Sequence, residues 1–482
     1  MSVKKPFYIT TTIPYVNAAP HVGHALEFVQ ADVLARFKRL AGYDVFFNFG
    51  TDEHGQKIWE KAQVEGKDTQ ACVDFYAEKF KELRGTLNLS YDAFIRTTDI
   101  KHKAAAQEMW RRCAAAGDIY KKQYQVKYCV GCELEKTDSE LVNGECPLHP
   151  GKQLEIREEE NYFFRLSRYC DKLIELYNRE DFLTPDFRLN ELRSLDSSVG
   201  MQDFSISRLA TKMPWGIAVP DDSEHVMYVW FDALVNYIST LDWPQDEEKF
   251  SRFWNGTRDC VQFAGKDQVR QQAAMWQAML MSAGLPTTGR ILIHGFINSG
   301  GQKMSKSIGN VIEPIAIVNE YGTDALRYYL LRHIHPFEDS DMTMEKFKEA
   351  YNADLANGIG NLAARVMTLS EKWLPTPVLL MGKEEYVFPE DYAHALEHFE
   401  FNRAIETVWN RIEILDRRIA EEEPFRVVKV DEEKGLKMIS NLVSELSIIA
   451  RLLEPMLPST SCAIISTIKA NKKPGTLFPR KE

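Results

Sequence analysis

The sequence has few cysteines, no long hydrophobic run and no excess of positive charge. Eight cysteines in 482 residues are too sparse for a disulfide scaffold. The longest uncharged stretch, residues 271–289, contains three Gln, two Thr and Pro286, so it would bring many polar groups into lipid and we expect no membrane span. With 59 Lys and Arg against 70 Asp and Glu, the net charge of −11 disfavours nonspecific coating of nucleic acid.

The N-terminus superficially resembles a signal peptide, because Lys4 and Lys5 precede an apolar stretch. Threonines at residues 10–12 and Asn17 interrupt that stretch, so we interpret it as mature protein with a cytoplasmic location. The composition, with 44% hydrophobic and 27% charged residues, is that of an ordinary globular protein. At about 150 residues per domain, the length predicts roughly three domains.

The first fifty residues predict a strand, a helix and a second strand. Residues 7–12 are rich in Thr and aromatic side chains, and residues 44–49 resume that pattern. Between them, apolar residues at i, i+3 and i+4 spacing from Leu26 to Leu40 form one helix face, which ends before Gly42. Such a crossover unit implies a parallel sheet, whose ligands lie beyond the carboxyl ends of the strands.

The rest of the chain predicts an interrupted sheet followed by helices. Strand patterns return at residues 225–230, 261–264 and 291–296, residues 124–160 are rich in Cys, Glu and Gly, and helical spacing dominates after about residue 351. We therefore predict an α/β fold in which a Rossmann-type parallel-sheet catalytic domain with a zinc-knuckle insertion precedes an α-helical bundle. The predicted domains are the first catalytic half (1–116), the connective insertion (117–224, with the knuckle at about 127–160), the second catalytic half with the Lys303–Ser307 loop (225–350) and the helical domain (351–482).

The segment between the first strand and its helix contains His21, Val22, Gly23 and His24. A helix N-terminus offers unpaired N–H groups and the positive end of the helix dipole, and two imidazoles add donors for phosphate oxygens. Gly23 lacks the side chain that would hold a flat base away. The segment therefore predicts a nucleotide site without a Walker loop, with two surface histidines beside a turn as the alternative.

A second motif consists of Lys303, Met304, Ser305, Lys306 and Ser307, with glycines on both sides. Two lysines on a loop hinged by glycines can move over a triphosphate and meet negative charge as it builds in the transition state. A solvated basic turn is the alternative for this motif taken alone.

Together the two motifs resemble the His-Ile-Gly-His and Lys-Met-Ser-Lys-Ser signatures of class I aminoacyl-tRNA synthetases, with Val22 in place of Ile. The segments TIPY (12–15), GTDEHG (50–55), YVWFDALVNY (228–237) and DLANGIGNL (354–362) extend the resemblance to the methionyl-tRNA synthetase family along nearly the whole chain. The resemblance implies a ligase that forms methionyl adenylate from L-methionine and Mg²⁺-bound ATP and transfers the methionyl group to the 3′-terminal adenosine of tRNA(Met).

Two other functions stay open at this point: a synthetase-like paralogue that binds tRNA without charging it, and a class I synthetase for another amino acid. By the resemblance, the catalytic residues are His21, His24, Lys303 and Lys306. The ATP-binding residues are His21, Gly23, His24, Lys303, Met304, Ser305, Lys306 and Ser307. Because the chain ends at Glu482 without the tRNA-binding domain that many dimeric relatives carry, we expect a monomer.

The resemblance also assigns the methionine site. Asp52 would hold the ammonium group, and its position just past a strand suits a ligand-reading carboxylate, although a helix N-cap is a rival role. For Trp230 and Tyr237, seven residues apart on a predicted helix, core packing and ligand contact are about equally supported. The residues that would line the thioether pocket are Ile13, Tyr15, Trp230, Ala233, Leu234 and Tyr237.

One wall of this pocket departs from the family. After Gly265-Lys266-Asp267 the family commonly has an aromatic residue and a His that help to close the pocket, whereas this chain has Gln271 and Gln272. Closure at that wall is therefore an open question, and a solvent-facing pair of glutamines is the alternative.

A third cluster predicts a metal site. Cys129-x2-Cys132 is followed after 13 residues by Cys146-x2-His149, and two such turns supply four ligands for a tetrahedral zinc ion. With four protein ligands no coordination position is open, so we expect one zinc ion that folds the insertion and takes no part in the reaction.

The helical tail holds a predicted anticodon site. The family reads the CAU anticodon with an Asn and an Arg on one helix and a stacking aromatic residue, which match Asn361, Arg365 and Phe425 here. Four-residue spacing places Asn361 and Arg365 on one helix face, and unpaired loop bases are recognised by stacking and edge hydrogen bonds. Core packing for Phe425 and a plain surface charge for Arg365 are the alternatives.

Overall fold

The computed structural model describes residues 4–136, 141–198, 201–304, 309–380, 382 and 386–482. Within these ranges, the strands are β1 (Pro6–Thr10), β2 (Asp44–Thr51), β3 (Ala93–Arg96), β4 (Ile119–Cys129), β5 (Leu134–Lys136), β6 (Glu155–Phe164), β7 (Leu183–Thr184), β8 (Phe204–Ser205), β9 (Ser207–Leu209), β10 (Ala218–Val219), β11 (Asp222–Met227), β12 (Cys260–Gly265), β13 (Arg290–His294), β14 (Ile297–Ser299), β15 (Gln302–Lys303) and β16 (Ser340–Asp341).

The α-helices are α1 (Val22–Leu40), α2 (Gln56–Val64), α3 (Thr69–Thr86), α4 (Ile100–Ala115), α5 (Cys170–Tyr177), α6 (Leu189–Ser198), α7 (Val229–Ala233), α8 (Asn236–Ser239), α9 (Glu247–Phe253), α10 (Trp276–Ser282), α11 (Pro314–Tyr321), α12 (Thr323–Arg332), α13 (Met344–Ala350), α14 (Asn361–Trp373), α15 (Glu390–Glu397), α16 (Phe401–Glu422), α17 (Pro424–Val430), α18 (Glu432–Leu453) and α19 (Pro458–Ala470). Two π-helical segments lie at Gln271–Met275 and Tyr351–Gly360.

A six-stranded parallel sheet forms the centre of the molecule, with strand order β3-β2-β1-β12-β13-β7. This confirms the Rossmann-type sheet predicted from the first fifty residues. The strand order reverses at β1, because β2 and β3 lie on one side of it and β12 and β13 on the other. Such a reversal leaves a crevice at the carboxyl ends of the two central strands.

The first strand ends two residues earlier than the sequence pattern predicts. Just beyond the end of β1, the Thr12 backbone N–H donates both to the Phe263 backbone oxygen of β12, at 3.1 Å, and to the Glu27 carboxylate, at 2.6 Å, and the Thr12 hydroxyl donates to the same carboxylate at 2.7 Å. Glu27 belongs to α1, the helix that follows β1 and is buried along most of its length. These bonds tie the end of the strand to the first turns of the crossover helix, at the edge of the crevice.

The prediction of a sheet strand over residues 225–230 is wrong in two respects. Strand β11 belongs to a separate antiparallel sheet, β10-β11-β9, and the chain turns into α7 directly after Tyr228. A short apolar run has the same appearance in a buried strand and in a buried helix, so its pattern alone does not separate the two. Strand β13 also ends before the predicted residue 296, because Gly295 lies against the backbone of Glu338.

The insertion predicted from the Cys-rich segment forms a sheet of its own. A four-stranded antiparallel sheet, β5-β4-β6-β8, carries the cysteine cluster at the end of β4. The glycine-flanked loop of the second motif follows β14, which pairs with β15 and β16.

The C-terminal part of the chain is helical, which confirms the predicted fold class. Helix α13 continues into the π-helical segment that starts at Tyr351, and helices α14 to α19 follow. Arg327 in α12 is fully buried and donates to the backbone oxygens of Pro455 and Met456, so the helical region is anchored on the catalytic region. Among the described residues, no helix combines the length and hydrophobicity that a bilayer crossing requires.

Candidate active site

The His21 motif and the Lys303 motif meet in one crevice at the carboxyl ends of β1 and β12. A cavity of about 440 Å³ is lined by His21 and His24 from the first motif and by Lys303 and Met304 from the second. The same four residues line an adjoining cavity of about 220 Å³, together with Gly23. The tertiary fold thus brings the motifs together although they are far apart in the sequence. Ser305, Lys306 and Ser307 lie outside the described residues.

The two histidines form the N-terminal cap of α1. The Nδ1 atom of His21 accepts a hydrogen bond from the Gly23 N–H at 3.1 Å, and Nδ1 of His24 accepts one from the His21 N–H at 3.2 Å. The rings stack with their centres 3.9 Å apart. Because each Nδ1 accepts, the ring proton of each neutral imidazole lies on Nε2, which leaves Nε2 as a donor for a phosphate oxygen.

Burial, with His21 and His294 nearby, lowers the pKa of His24 well below its ordinary value. His24 is therefore neutral at pH 7 and acts as a hydrogen-bond donor rather than as a cation. Gly23 is required beside these rings, since a Cβ atom there would lie 2.8 Å from Cε1 of His21. The sequence predicts that Gly23 gives access to a flat base, whereas in the structure His21 itself occupies the space beside Gly23.

All seven residues assigned to methionine by resemblance line the larger cavity: Ile13, Tyr15, Asp52, Trp230, Ala233, Leu234 and Tyr237. Trp230 and Tyr237 are buried, but they lie on two short helices, α7 and α8, rather than on one continuous helix. The backbone N–H of Asp52 donates to Pro14 at 2.9 Å, and the N–H of Val16 donates to Asp52 at 3.2 Å. The segments that carry Tyr15 and Asp52 therefore run side by side.

Asp52 lies beyond the carboxyl end of β2 and is buried. It is not the N-cap of α2, a position that Gly55 occupies. Burial raises the pKa of Asp52 well above its usual value, and the nearby carboxylates of Asp232 and Glu133 add to this rise. A buried carboxylate surrounded by other acids gains most from a bound cation, which suits the ammonium group of an amino acid.

A buried histidine–aspartate network that no sequence pattern predicted lies beside Asp52. The Asp232 carboxylate contacts Nδ1 of His54 and Nε2 of His102, each at 2.7 Å. Burial alone would raise the pKa of Asp232, but the two histidines outweigh it and lower this pKa to about 2. His54 lies in the segment GTDEHG (50–55) and Asp232 in YVWFDALVNY (228–237). The family resemblance therefore includes both residues, but it did not predict that they contact each other.

The glutamine pair at the departing wall faces the cavity rather than solvent. Gln271 and Gln272 are 3% and 1% exposed and line the cavity, so the solvent-facing alternative is wrong. The side-chain amide of Gln272 donates to the Tyr237 hydroxyl at 2.7 Å, and its oxygen accepts from Gln262 at 3.2 Å. An amide in this place binds the pocket tyrosine and closes the wall by a polar network, which buried polar groups require.

The four residues of the cysteine–histidine cluster converge as predicted. The ligand atoms of Cys129, Cys132, Cys146 and His149 all lie within 4.8 Å of one another. Individual separations are 3.3 Å from Cys132 Sγ to Cys146 Sγ, and 3.2, 3.9 and 4.0 Å from His149 Nδ1 to the sulfurs of Cys132, Cys129 and Cys146. Zn–S bonds of about 2.3 Å at tetrahedral angles place two sulfurs about 3.8 Å apart, so the cluster can hold a metal ion of that kind.

Local backbone features hold this geometry. The Cys132 N–H donates to the Cys129 sulfur at 3.4 Å, and the His149 ring packs onto Gly131, where a Cβ atom would lie 2.4 Å from Cγ of the ring. The knuckle also contributes to the larger cavity, which is lined by Gly131, Cys132, Leu148 and His149. The knuckle therefore forms part of the lining of the crevice. The position of the knuckle in the sequence does not predict this contact.

Comparison with known proteins supplies the family. A family model described as class I tRNA synthetases (M) matches residues 7–153 and 148–367. The methionine–tRNA ligase of Thermotoga maritima is 39% identical over 97% of this chain and 76% of its own length, and that of Nostoc sp. is 39% identical over 96% and 89%. The chain belongs to the methionyl-tRNA synthetase family.

A solved member of the methionyl-tRNA synthetase family has the same fold over its whole length. The Mycobacterium tuberculosis methionyl-tRNA synthetase in complex with methionyl-adenylate superimposes with a TM-score of 0.87 at 36% identity, covering 99% of both chains. The parallel sheet, the insertion and the helical region are therefore shared with a methionyl-tRNA synthetase.

A second cavity, in the helical region, brings together the three residues that the methionyl-tRNA synthetase resemblance assigns to the anticodon. Asn361, Arg365 and Phe425 all line a cavity of about 320 Å³, beside Lys473. The Phe425 side chain is 37% exposed, so it is not a core residue. Arg365 forms an ion pair with Asp416, which holds the guanidinium at the cavity.

Proposed function

We propose that this member of the methionyl-tRNA synthetase family is a methionine–tRNA ligase that uses the crevice for both of its reactions. The observation that carries the proposal is the single cavity shared by the His21 motif, the Lys303 motif and the pocket of Asp52. An enzyme that joins an amino acid to a nucleotide needs these three elements within one cavity.

In the first reaction, the methionine carboxylate attacks the α-phosphorus of Mg²⁺-bound ATP and pyrophosphate leaves. Asp52 holds the ammonium group, and Trp230 and Tyr237 contact the thioether, whose polarisable sulfur favours aromatic neighbours. The Nε2 atoms of His21 and His24 donate to phosphate oxygens. Lys303 and Lys306 stabilise the charge on the departing pyrophosphate. Positioning and electrostatics carry this step, with no covalent enzyme intermediate.

In the second reaction, a hydroxyl of the 3′-terminal ribose of tRNA(Met), the 2′ one by class resemblance, attacks the carbonyl carbon of the adenylate. The ester forms and AMP leaves. By the family resemblance, the acceptor end of the tRNA enters beside the knuckle, whose residues Cys132 and His149 line the cavity.

The test of the proposal is methionine-dependent exchange of labelled pyrophosphate into ATP, followed by charging of tRNA(Met). We expect both activities with methionine and neither with the other nineteen amino acids. Exchange with a different amino acid would favour a synthetase of other specificity. A folded, metal-loaded protein without any exchange would favour a binding paralogue.

We infer that zinc occupies the cluster of Cys129, Cys132, Cys146 and His149, since three thiolates and an imidazole are ligands typical of structural zinc. Zinc supplies folding free energy to the knuckle, while the protein ligands fill its coordination sphere. We propose that the protein is cytoplasmic and monomeric. The molar mass in solution tests the monomeric state.

Cys146→Ser is expected to reduce zinc content well below about one per chain, because a closed site needs all four ligands. Cys170→Ser, outside the cluster, is the matched control and should keep its zinc. Metal analysis with hydrogen exchange measures both: residues 127–160 should lose protection in Cys146→Ser while β1 and β2 keep theirs. Full zinc in the Cys146 variant would contradict the assignment.

Arg365→Ala is expected to lower the charging of full-length tRNA(Met) about 10- to 100-fold, since loss of one edge-reading contact costs about 1–3 kcal/mol. Pyrophosphate exchange should stay unchanged, because the anticodon cavity is built from helices outside the crevice. Arg403→Ala, an exposed arginine paired with Glu400, is the matched control. A parallel fall of exchange and charging would show that the cavity does not read the anticodon.

A further inference from the structure

One side chain links the knuckle to the amino-acid pocket and has no role in the scheme above. Glu133 follows the cluster residue Cys132 directly, and its φ of +50° lies in the left-handed region that non-glycine residues rarely adopt. Its side chain is 1% exposed. A buried carboxylate on an unfavourable backbone conformation is costly, so its interactions must offset that cost.

The carboxylate caps a helix that belongs to the catalytic region. Oε1 of Glu133 accepts a hydrogen bond from the Lys57 N–H at 3.1 Å, and Lys57 lies in the first turn of α2. The N-cap residue of α2, Gly55, supplies no side-chain cap. A negative group from the insertion therefore satisfies a free N–H and meets the positive end of the helix dipole.

The same carboxylate lies near the segment that carries Asp52. The side of Gly55 on which a Cβ atom would stand faces Oε2 of Glu133, which would lie 3.5 Å from that Cβ atom. Gly55 is three residues after Asp52. Displacement of the Glu133 carboxylate would therefore loosen both α2 and the turn that holds the ammonium-binding group.

The other side of Glu133 faces a wall of the pocket. Oε2 of Glu133 and the Tyr15 hydroxyl are both buried. The two groups are close enough that the carboxylate adds to burial in raising the pKa of Tyr15. Nζ of Lys57 lies 5.2 Å from the centre of the Tyr15 ring. Glu133, Lys57 and Tyr15 thus form one cluster between the knuckle and the cavity.

We propose that Glu133 is a positioning residue through which the folded knuckle holds the methionine pocket in shape, an inference that rests on the proposed function. It braces the Asp52 segment through α2 on one side and Tyr15 on the other. The nucleotide contacts come from α1 and from the Lys303 loop and do not depend on it. Loss of the carboxylate therefore weakens methionine binding and leaves ATP binding intact.

Glu133→Ala tests this in the full, zinc-loaded chain. We expect the KM for methionine in pyrophosphate exchange to rise about tenfold, as for loss of a hydrogen bond to a buried charged group, and the KM for ATP to stay within about twofold. Glu133→Gln keeps an acceptor for the Lys57 N–H and should regain most of the affinity, to within about threefold of the parent chain.

Glu145→Gln is the matched control on the knuckle, because the Glu145 carboxylate accepts from the Gly151 N–H at 2.8 Å, within the knuckle. It should leave both KM values unchanged. Metal analysis checks that every variant keeps its zinc. Tryptophan fluorescence titrated with methionine gives the Kd without turnover, since Trp230 lines the cavity.

An unchanged methionine KM and Kd in Glu133→Ala would overturn the inference. Equal rises of both KM values with loss of zinc would overturn it too, in favour of a role in knuckle folding alone. Absence of exchange in the parent chain would refute the proposed function instead, and the fluorescence titration of parent and variant would still decide the role of Glu133.

Discussion

Lys306→Ala is expected to slow adenylate formation by about 10³-fold or more, which corresponds to about 4 kcal/mol of lost transition-state stabilisation. The neighbouring Lys303 lies in the crevice, and Gly301 and Gly309, with φ of +74° and +73°, stand on either side of the Lys303–Ser307 motif. Because glycines of this conformation favour a hinged loop, we expect Lys306 to reach the triphosphate.

The measurement for Lys306→Ala is the single-turnover rate of adenylate formation beside the Kd of methionine from fluorescence. The Kd should stay nearly unchanged, because the amino-acid pocket is built from other elements. Lys346→Ala is the matched control, since Lys346 is an exposed lysine paired with Asp341 at 3.0 Å. Equal losses of rate and methionine affinity would show that Lys306 is structural.

Asp52→Asn is expected to raise the KM for methionine about 100-fold or more, because removing one partner of a buried charge pair costs about 2–5 kcal/mol. Asn is nearly isosteric, so the fold should persist with a similar Tm. The KM for ATP should change little. A variant in which both KM values rise together would contradict the assignment of Asp52 to the ammonium group.

The same residue predicts a pH dependence. Burial first, and then Asp232 and Glu133, raise the pKa of Asp52, and the ammonium group binds the ionised carboxylate. Below that raised pKa a proton must leave before methionine binds, so the affinity improves as pH rises through it and is flat above it. In Asp52→Asn this dependence should vanish. A KM for methionine with the same pH dependence in the parent chain and in Asp52→Asn would argue against the prediction.

Much of the fold and of the crevice was predictable because it is encoded in local patterns. Residues 7 to 49 show the periods of a strand, a helix and a second strand in succession, and a helix between two strands of one sheet favours a parallel crossover. The paired x2 spacings of the knuckle likewise restrict how its ligands can meet. The structure departs from the predicted elements where an apolar run is short, as at Tyr228 to Trp230, where α7 begins.

The functional contacts that the sequence did not predict are made between residues distant in the chain. Gln272 closes the pocket wall because it meets Gln262 and Tyr237, and Asp232 matters because His54 and His102 meet it from two other segments. No spacing in the sequence records such pairings, since each depends on which elements pack against one another.

The sequence by itself determined the parallel crossover, the positions of the signature motifs and the ligand set of the knuckle, because each depends on residues close together in the chain. Only the tertiary structure decided that the His21 and Lys303 motifs share one cavity, that the knuckle lines this cavity, and that Glu133 contacts α2. The physical reason is that these contacts join distant segments, and burial in a common core decides which of them meet.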